Sequence, residues 1–231
     1  MQYKILILIF LCLFPLVSSA TILGDYSDDL LIYYQMNETT GSALINYSGS
    51  PQGTYGGGLP NPVDGIIDQG QLYNGSSTAD ITGLVGTGGN YTFSFWTNAS
   101  DTATADYIFD SSSGRLLISM GRTTMQFYDG TWRDFGVNAP SDGTIRHYMI
   151  IFDASTSNAS LYINGTFTSS VTYSSTTFSD NIGLGCNNGK DSQYITGFLE
   201  QFIIWDKVLT SSDVTSIYNS GNGLLLNEVG D

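Results

Sequence analysis

Short apolar and aromatic runs alternate with clusters of Gly, Asn, Asp and Ser along almost the whole of this 231-residue sequence. The runs are too short for stable helices and rich in β-branched and aromatic residues, so each reads as a strand closed by a turn. The pattern predicts strands at 30–36, 70–73, 78–82, 91–98, 107–110, 116–120, 125–128, 146–153, 160–163, 167–171, 182–185 and 198–205. Strand 146–153 is apolar on both faces, with Tyr148, Ile150 and Phe152 alternating with Met149 and Ile151, which predicts a position covered twice. Asn74-Gly75 and Asn164-Gly165 tolerate the positive φ of type I′ turns and predict two hairpins. The Gly- and Pro-rich run 48–65 has no period and predicts a long surface loop. Helical spacing occurs once: Thr210 and Asp213 form a capping-box pair, and Val214, Ile217 and Tyr218 share a face, predicting a helix over 210–219 closed by Gly221.

The first twenty residues follow a different logic. Lys4 precedes an apolar stretch that ends in Ser18-Ser19-Ala20. The stretch is short of the roughly twenty residues a membrane span needs, so 1–20 reads as a secretory leader cut after Ala20. Residues 21–231 then form one exported domain, with no membrane insertion after cleavage. The formal charge of −14 becomes one unit more negative when Lys4 leaves. Such a surface repels nucleic acid and anionic lipid and attracts cations. Cys12 departs with the leader, so Cys186 remains alone and no internal disulfide forms. Stability must come from the core, which a 41% hydrophobic composition supplies. Cys186 itself reads as a small buried filler.

Asn37, Asn46, Asn74, Asn90, Asn98, Asn158 and Asn164 each begin an Asn-x-Ser/Thr acceptor triplet. Chance at this composition gives about three such triplets. The excess fits N-glycosylation in a eukaryotic or archaeal source, and the alternative is that Asn, Ser and Thr serve as turn residues.

The order of these signals resembles the laminin-G-like jelly-roll domains of the concanavalin A-like lectin and glucanase superfamily. The resemblance is carried by LLIYYQMNETTGSALINYSGSPQGTYGG, by GQLYNGSSTADIT, and by NYTFSFWTNAS, with Trp96 at the family's tryptophan position. It continues through RHYMIIFDASTSNASLYINGTFTSS and closes with IGLG and GFLEQFIIWDKVLTSSDVTSIYNSG. It implies an all-β, two-sheet antiparallel jelly-roll sandwich, its first and last strands adjacent, with one short C-terminal helix. It also implies a calcium ion at the sandwich edge, whose matching positions are Asn46 and Glu200. Both depart from the family's usual Asp and so reduce the negative charge available to one possible Ca2+.

Catalytic patterns are missing from the sequence. The related glucanases carry paired carboxylates as Glu-x-Asp-x-(x)-Glu, and the only glutamates here are Glu38, Glu200 and Glu228. There is no Gly-x-Ser-x-Gly, and His147 is the single histidine, read as a packing or hydrogen-bonding residue. The GLGCNNGK segment lacks phosphate-loop spacing and reads as a loop. The most unusual surface stretch runs from Tyr128 to Phe135. There Tyr128 and Trp132 offer faces to a sugar ring, Arg133 and Asp134 offer hydrogen bonds to hydroxyls, and Asn188 extends the site from another loop. Trp132 and Phe135 alternatively pack the end of a hairpin.

The sequence therefore reads as a secreted or cell-surface recognition module, not an enzyme, that binds a glycan or an extracellular protein through one rim of the sandwich. The alternative from another class is a self-assembling structural subunit of a surface layer, appendage or virion, and a glycoside hydrolase stands third.

Overall fold

The structure, a computed structural model, describes residues 26, 28–99, 106–111, 116–120, 123–139, 142–179 and 181–226. The expected leader, residues 1–20, lies outside them. In chain order the strands are β1 (Leu30–Tyr34), β2 (Ala43–Leu44), β3 (Gly53–Gly56), β4 (Asn61–Asp64), β5 (Gln69–Asn74), β6 (Thr78–Ile81), β7 (Val85–Thr87), β8 (Tyr91–Thr97) and β9 (Tyr107–Asp110). They continue with β10 (Leu117–Ser119), β11 (Thr124–Tyr128), β12 (Trp132–Asn138), β13 (Arg146–Asp153), β14 (Asn158–Ile163), β15 (Thr166–Thr172), β16 (Thr177–Ser179), β17 (Ile182–Leu184) and β18 (Thr196–Trp205). Helix α1 (Ser211–Tyr218) follows.

Two eight-stranded sheets result. The first runs β15-β14-β13-β8-β18-β5-β4, with β1 also paired to β18, and the second runs β12-β11-β10-β9-β17-β6-β3-β2. All their pairings are antiparallel. This is the expected jelly-roll sandwich, with its first and last strands adjacent. Strand β13 is buried along both faces, as its double apolar pattern requires. Its Tyr148, Ile150 and Phe152 enter the core between the sheets, while Met149 and Ile151 lie under α1.

Aromatic rings from both sheets meet at the centre. Phe93 of β8 contacts Phe109 of β9 at 5.3 Å, Phe152 of β13 at 5.8 Å, Phe178 of β16 at 6.1 Å and Phe202 of β18 at 6.4 Å between ring centroids. The outer face of the first sheet is closed separately. Val214 and Ile217 of α1, with Leu209 and Leu226, cover Tyr33, Met149, Ile151, Ile203 and Trp205. The capping box forms as expected: Thr210 Oγ1 accepts the Asp213 amide at 3.3 Å, and Asp213 Oδ2 accepts the Thr210 amide at 2.7 Å. The helix is closed by Asn219, in the left-handed region at φ 50°, two residues before the expected Gly221.

Two local expectations are corrected. The run 48–65 is not a plain loop, because it contains β3 and β4. Its glycines serve packing as well as turns: a Cβ on Gly53 would meet the Leu44 side chain at 3.0 Å, and one on Gly56 would meet Thr78 Oγ1 at 2.5 Å. Asn74-Gly75 is not a hairpin, because β5 already has β4 and β18 as neighbours and the chain crosses to the second sheet for β6. Asn164-Gly165 does form the expected type I′ turn, with φ values of 50° and 74°. Cys186 is buried, and burial pushes its thiol up to about 12.

With no disulfide among the described residues, the aromatic centre is the crosslink between the sheets. Phe93→Ala is expected to lower the unfolding free energy by about 3–5 kcal/mol, measured as a shift of the urea midpoint at unchanged slope. Thr210→Ala is expected to cost about 1 kcal/mol.

Candidate functional site

Helix α1 closes the outer face of the first sheet, whereas on the outer face of the second the middle is buried, with Leu117, Asp110 and Ser119 at 0%, and the strands at either side are exposed or half-buried. Cross-strand register places one row along this second face: Trp132 opposite Tyr128, Tyr128 opposite Leu117, Leu117 opposite Asp110, Asp110 opposite Gly183, Gly183 opposite Asp80, and Asp80 opposite Thr54. Five strand spacings separate Trp132 from Asp80, about 24 Å. A parallel row pairs Asp134 with Gln126 and Gln126 with Ser119.

The aromatic end of this face is built by the β11–β12 hairpin. Trp132 is 47% exposed, and its ring lies edge-on to Tyr128 at 5.3 Å and tilted to Tyr107 at 6.5 Å. Beside it, Asp134 Oδ2 accepts from Thr124 Oγ1 at 2.8 Å and Gln126 Nε2 at 3.0 Å, and Oδ1 accepts the Gly136 amide at 2.7 Å. Slight burial pushes this carboxyl up, but the bonds from Gly136, Gln126 and Thr124 outweigh it and hold the group below the usual carboxylate range. The result is a fixed anion next to an exposed indole.

Arg133 is not part of this face. It pairs with Phe127, whose ring enters the core. Its Nε donates to Asp129 at 3.1 Å, and Nη2 donates to Ser174 Oγ at 2.7 Å. Successive strand residues point to opposite faces, so the pairing of Arg133 with Asp134 in one site is corrected: Arg133 ties the hairpin to the segment behind it. Asn188 is on the correct face. Its amide donates to Asp110 Oδ2 at 3.0 Å, about two strand spacings from Tyr128, or roughly 10 Å. The loop carrying it folds over Gly183, where a Cβ would collide with the Asn187 carbonyl.

Beyond that loop lies a depression of about 430 Å³, lined among others by Thr54, Thr78, Asp80, Lys190 and Tyr194. Lys190 pairs with Asp80 at 2.8 Å and donates to Asn181, while the Tyr194 hydroxyl donates to the Lys190 carbonyl at 2.8 Å. These residues were not anticipated. The available signal was a lysine in a Gly- and Asn-rich loop of a chain with only seven Lys and Arg.

The two expected calcium positions do not fit a shared ion. Glu200 is 1% exposed, and its carboxylate accepts the amides of Ile66 at 2.7 Å, Ile67 at 3.0 Å and Asp68 at 3.1 Å. Burial still pushes its carboxyl above the usual range. Asn46 Oδ1 accepts the Tyr33 and Ser48 amides at 2.8 and 3.1 Å and the Ser48 hydroxyl at 2.8 Å. N–H and O–H donors thus occupy the oxygens a cation would need. Among the described residues, no group of three or more His, Cys, Asp and Glu is placed to hold a metal.

His147 has the packing and hydrogen-bonding role expected of it. Its Nε2 lies 2.8 Å from Ser94 Oγ, the spacing of an activated nucleophile, but Ser94 and His147 are 2% and 1% exposed. The imidazole sits 4.9 Å from Trp96 and 6.0 Å from Tyr218 of α1, which also stacks on Trp96 at 5.8 Å. No substrate reaches the pair there. Burial pushes the imidazole pKa down to about 3.

The family profile described as the concanavalin A-like lectin/glucanases superfamily matches residues 74–215. Nothing among curated proteins matches. Among solved structures, the fold is similar to domain 4 of AbnA, a GH43 extracellular arabinanase from Geobacillus stearothermophilus, solved in complex with arabinotriose. That likeness has 22% identity, covers 81% of this chain and 97% of that one, and has a TM-score of 0.61. The fold is also similar to the binding domain of Paraclostridial Mosquitocidal Protein 1, at 17% identity over 84% of this chain and 53% of that one, TM-score 0.65. A third is the botulinum neurotoxin serotype D ligand binding domain in complex with N-acetylneuraminic acid, at 14% identity over 86% and 52%, TM-score 0.61. The chain spans about half the length of these two toxin domains.

Because the unfolded chain protonates its only histidine near pH 6.5 and the folded chain does not, the His147 contribution to stability is complete above that pH. It is expected to fall by about 1.4 kcal/mol per pH unit as pH drops toward 3. Denaturant titrations at pH 7, 6 and 5 measure this slope, and His147→Gln should remove the His147 contribution.

Proposed function

Since the chain belongs to the concanavalin A-like lectin/glucanases superfamily, we propose that it is an exported, non-catalytic module that binds glycan on the outer face of its second sheet, with Trp132 as the stacking platform. One observation carries this reading: an indole 47% exposed, braced by Tyr128 and flanked by the fixed carboxylate of Asp134, at the exposed β11–β12 edge of the second sheet. A tryptophan left in water on an ordered strand keeps apolar area available for the C–H face of a sugar ring, while Asp134 and Gln126 take the hydroxyls. The polar depression at Asp80 and Lys190 offers a second set of groups on the same side. The arabinotriose complex of the AbnA domain, almost all of which this chain matches, supports a saccharide ligand. The absence of catalysis is supported by the burial of Ser94 and His147 and by the amide bonds that occupy Glu200.

An array of arabino-oligosaccharides and of neutral and sialylated glycans, read in calcium and in chelator, tests the proposal. Binding is expected in both buffers, and Trp132→Ala should weaken it about tenfold, or ~1.4 kcal/mol, with an unchanged melting temperature. Arg133→Ala should do the reverse, lowering the melting temperature and sparing the affinity. Equal binding by the Trp132→Ala chain would place the ligand elsewhere.

A further inference from the structure

Asparagine occurs on both sheets, but acceptor triplets are concentrated beside the first. Six of the seven acceptor asparagines lie in, or within three residues of, first-sheet strands, and Asn46, two residues after β2 of the second sheet, bridges to Tyr34 of β1. Asn138, Asn181, Asn187 and Asn188 lie in or beside strands of the second sheet or in its covering loop, and none has Ser or Thr two places on.

Side-chain geometry then separates six of the seven by exposure and bonding, while Asn164 is half-buried with its Oδ1 accepting the His147 amide at 3.0 Å. Asn74 and Asn90 are exposed. Asn74 Oδ1 accepts the Ser76 and Ser77 amides at 3.0 and 3.2 Å, and Asn90 Oδ1 accepts the Ala154 amide at 2.9 Å. Each carboxamide is thereby oriented by its oxygen, and its nitrogen makes no bond to the described residues. Asn46 is the opposite case, 3% exposed with its Nδ2 sealed in the protein. In Asn37, Asn98 and Asn158 the Nδ2 is already donated within the fold. Asn74 ends β5 and Asn90 precedes β8, and both strands run antiparallel to β18, so these two exposed asparagines stand at opposite ends of the first sheet.

We infer that Asn74 and Asn90 carry N-linked oligosaccharide, that Asn46 does not, and that the sugar coat is one-sided, leaving the Trp132 edge of the second sheet bare. The donor is a lipid-linked oligosaccharide phosphate met during export. The C1–O bond to phosphate breaks, a C1–N bond to Nδ2 forms, the amide nitrogen loses one proton, and the phosphate leaves on its lipid. The inference rests on asparagine placement and not on glycan binding, so either can fail alone.

The test uses the full chain with its leader, secreted by a eukaryotic host alongside a reporter bearing an occupied acceptor. N-glycosidase treatment in heavy-oxygen water, followed by peptide mass spectrometry, marks each formerly occupied asparagine. Marks are expected at Asn74 and Asn90 and not at Asn46. Asn74→Gln and Asn90→Gln should each remove one oligosaccharide from the intact mass without changing the melting temperature. Bare Asn74 and Asn90 beside a marked reporter, a mark on Asn46, or a chain retained unmarked inside the cell would each overturn it.

Discussion

The contact between aromatic rings of the two sheets is the interaction on which the rest of this molecule depends. The chain has no disulfide among the described residues to join its layers, and Phe93, Phe109, Phe152, Phe178 and Phe202 take that place. Each buried ring removes apolar surface worth about 1.5–3 kcal/mol from water. Edge-to-face contacts add orientation, because the positive ring edge meets the negative face of its neighbour. A sheet held this way from inside has its outer face free for other uses.

The two outer faces are used differently. On the first sheet, β18 must change partners from β5 to β1 partway along its length, and it does so at Gln201, a non-glycine residue at φ 50° beside a register shift. The irregularity turns Glu200 toward the backbone amides of residues 66–68 and lets Gln201 reach the Tyr33 hydroxyl and the Leu224 carbonyl. Polar groups that would otherwise mark a site are thus consumed in closing the fold, and α1 seals Ser94 and His147 beneath it. On the second sheet no helix intervenes among the described residues, and alternation along β11 and β12 delivers Tyr128, Trp132 and Asp134 to its exposed edge together.

Much of the architecture was legible because it depends on local chemistry. Alternation located most strands, Thr210 and Asp213 marked the start of the helix, and Asn164-Gly165 marked a hairpin. The failures have one cause. A strand whose positions are glycine, such as β3, carries no hydrophobic period, since its glycines are selected by a neighbour's side chain across the sheet. The site was half legible for a related reason. Trp132 and Asp134 stood out, but reading 128–135 as a loop put Arg133 with them, whereas in a strand it must face the other way.

By itself the sequence determined the alternating pattern, the acidic charge, the capping box and the positions of the acceptor triplets, because each of these is a property of residues near one another in the chain. Only the tertiary structure decided that Glu200 is occupied by amides, that Ser94 and His147 are sealed, that Asp80 meets Lys190, and that Asn46 is buried while Asn74 and Asn90 are exposed. Those outcomes depend on which strands become neighbours, and pairing is set by long-range packing that no local run of residues encodes.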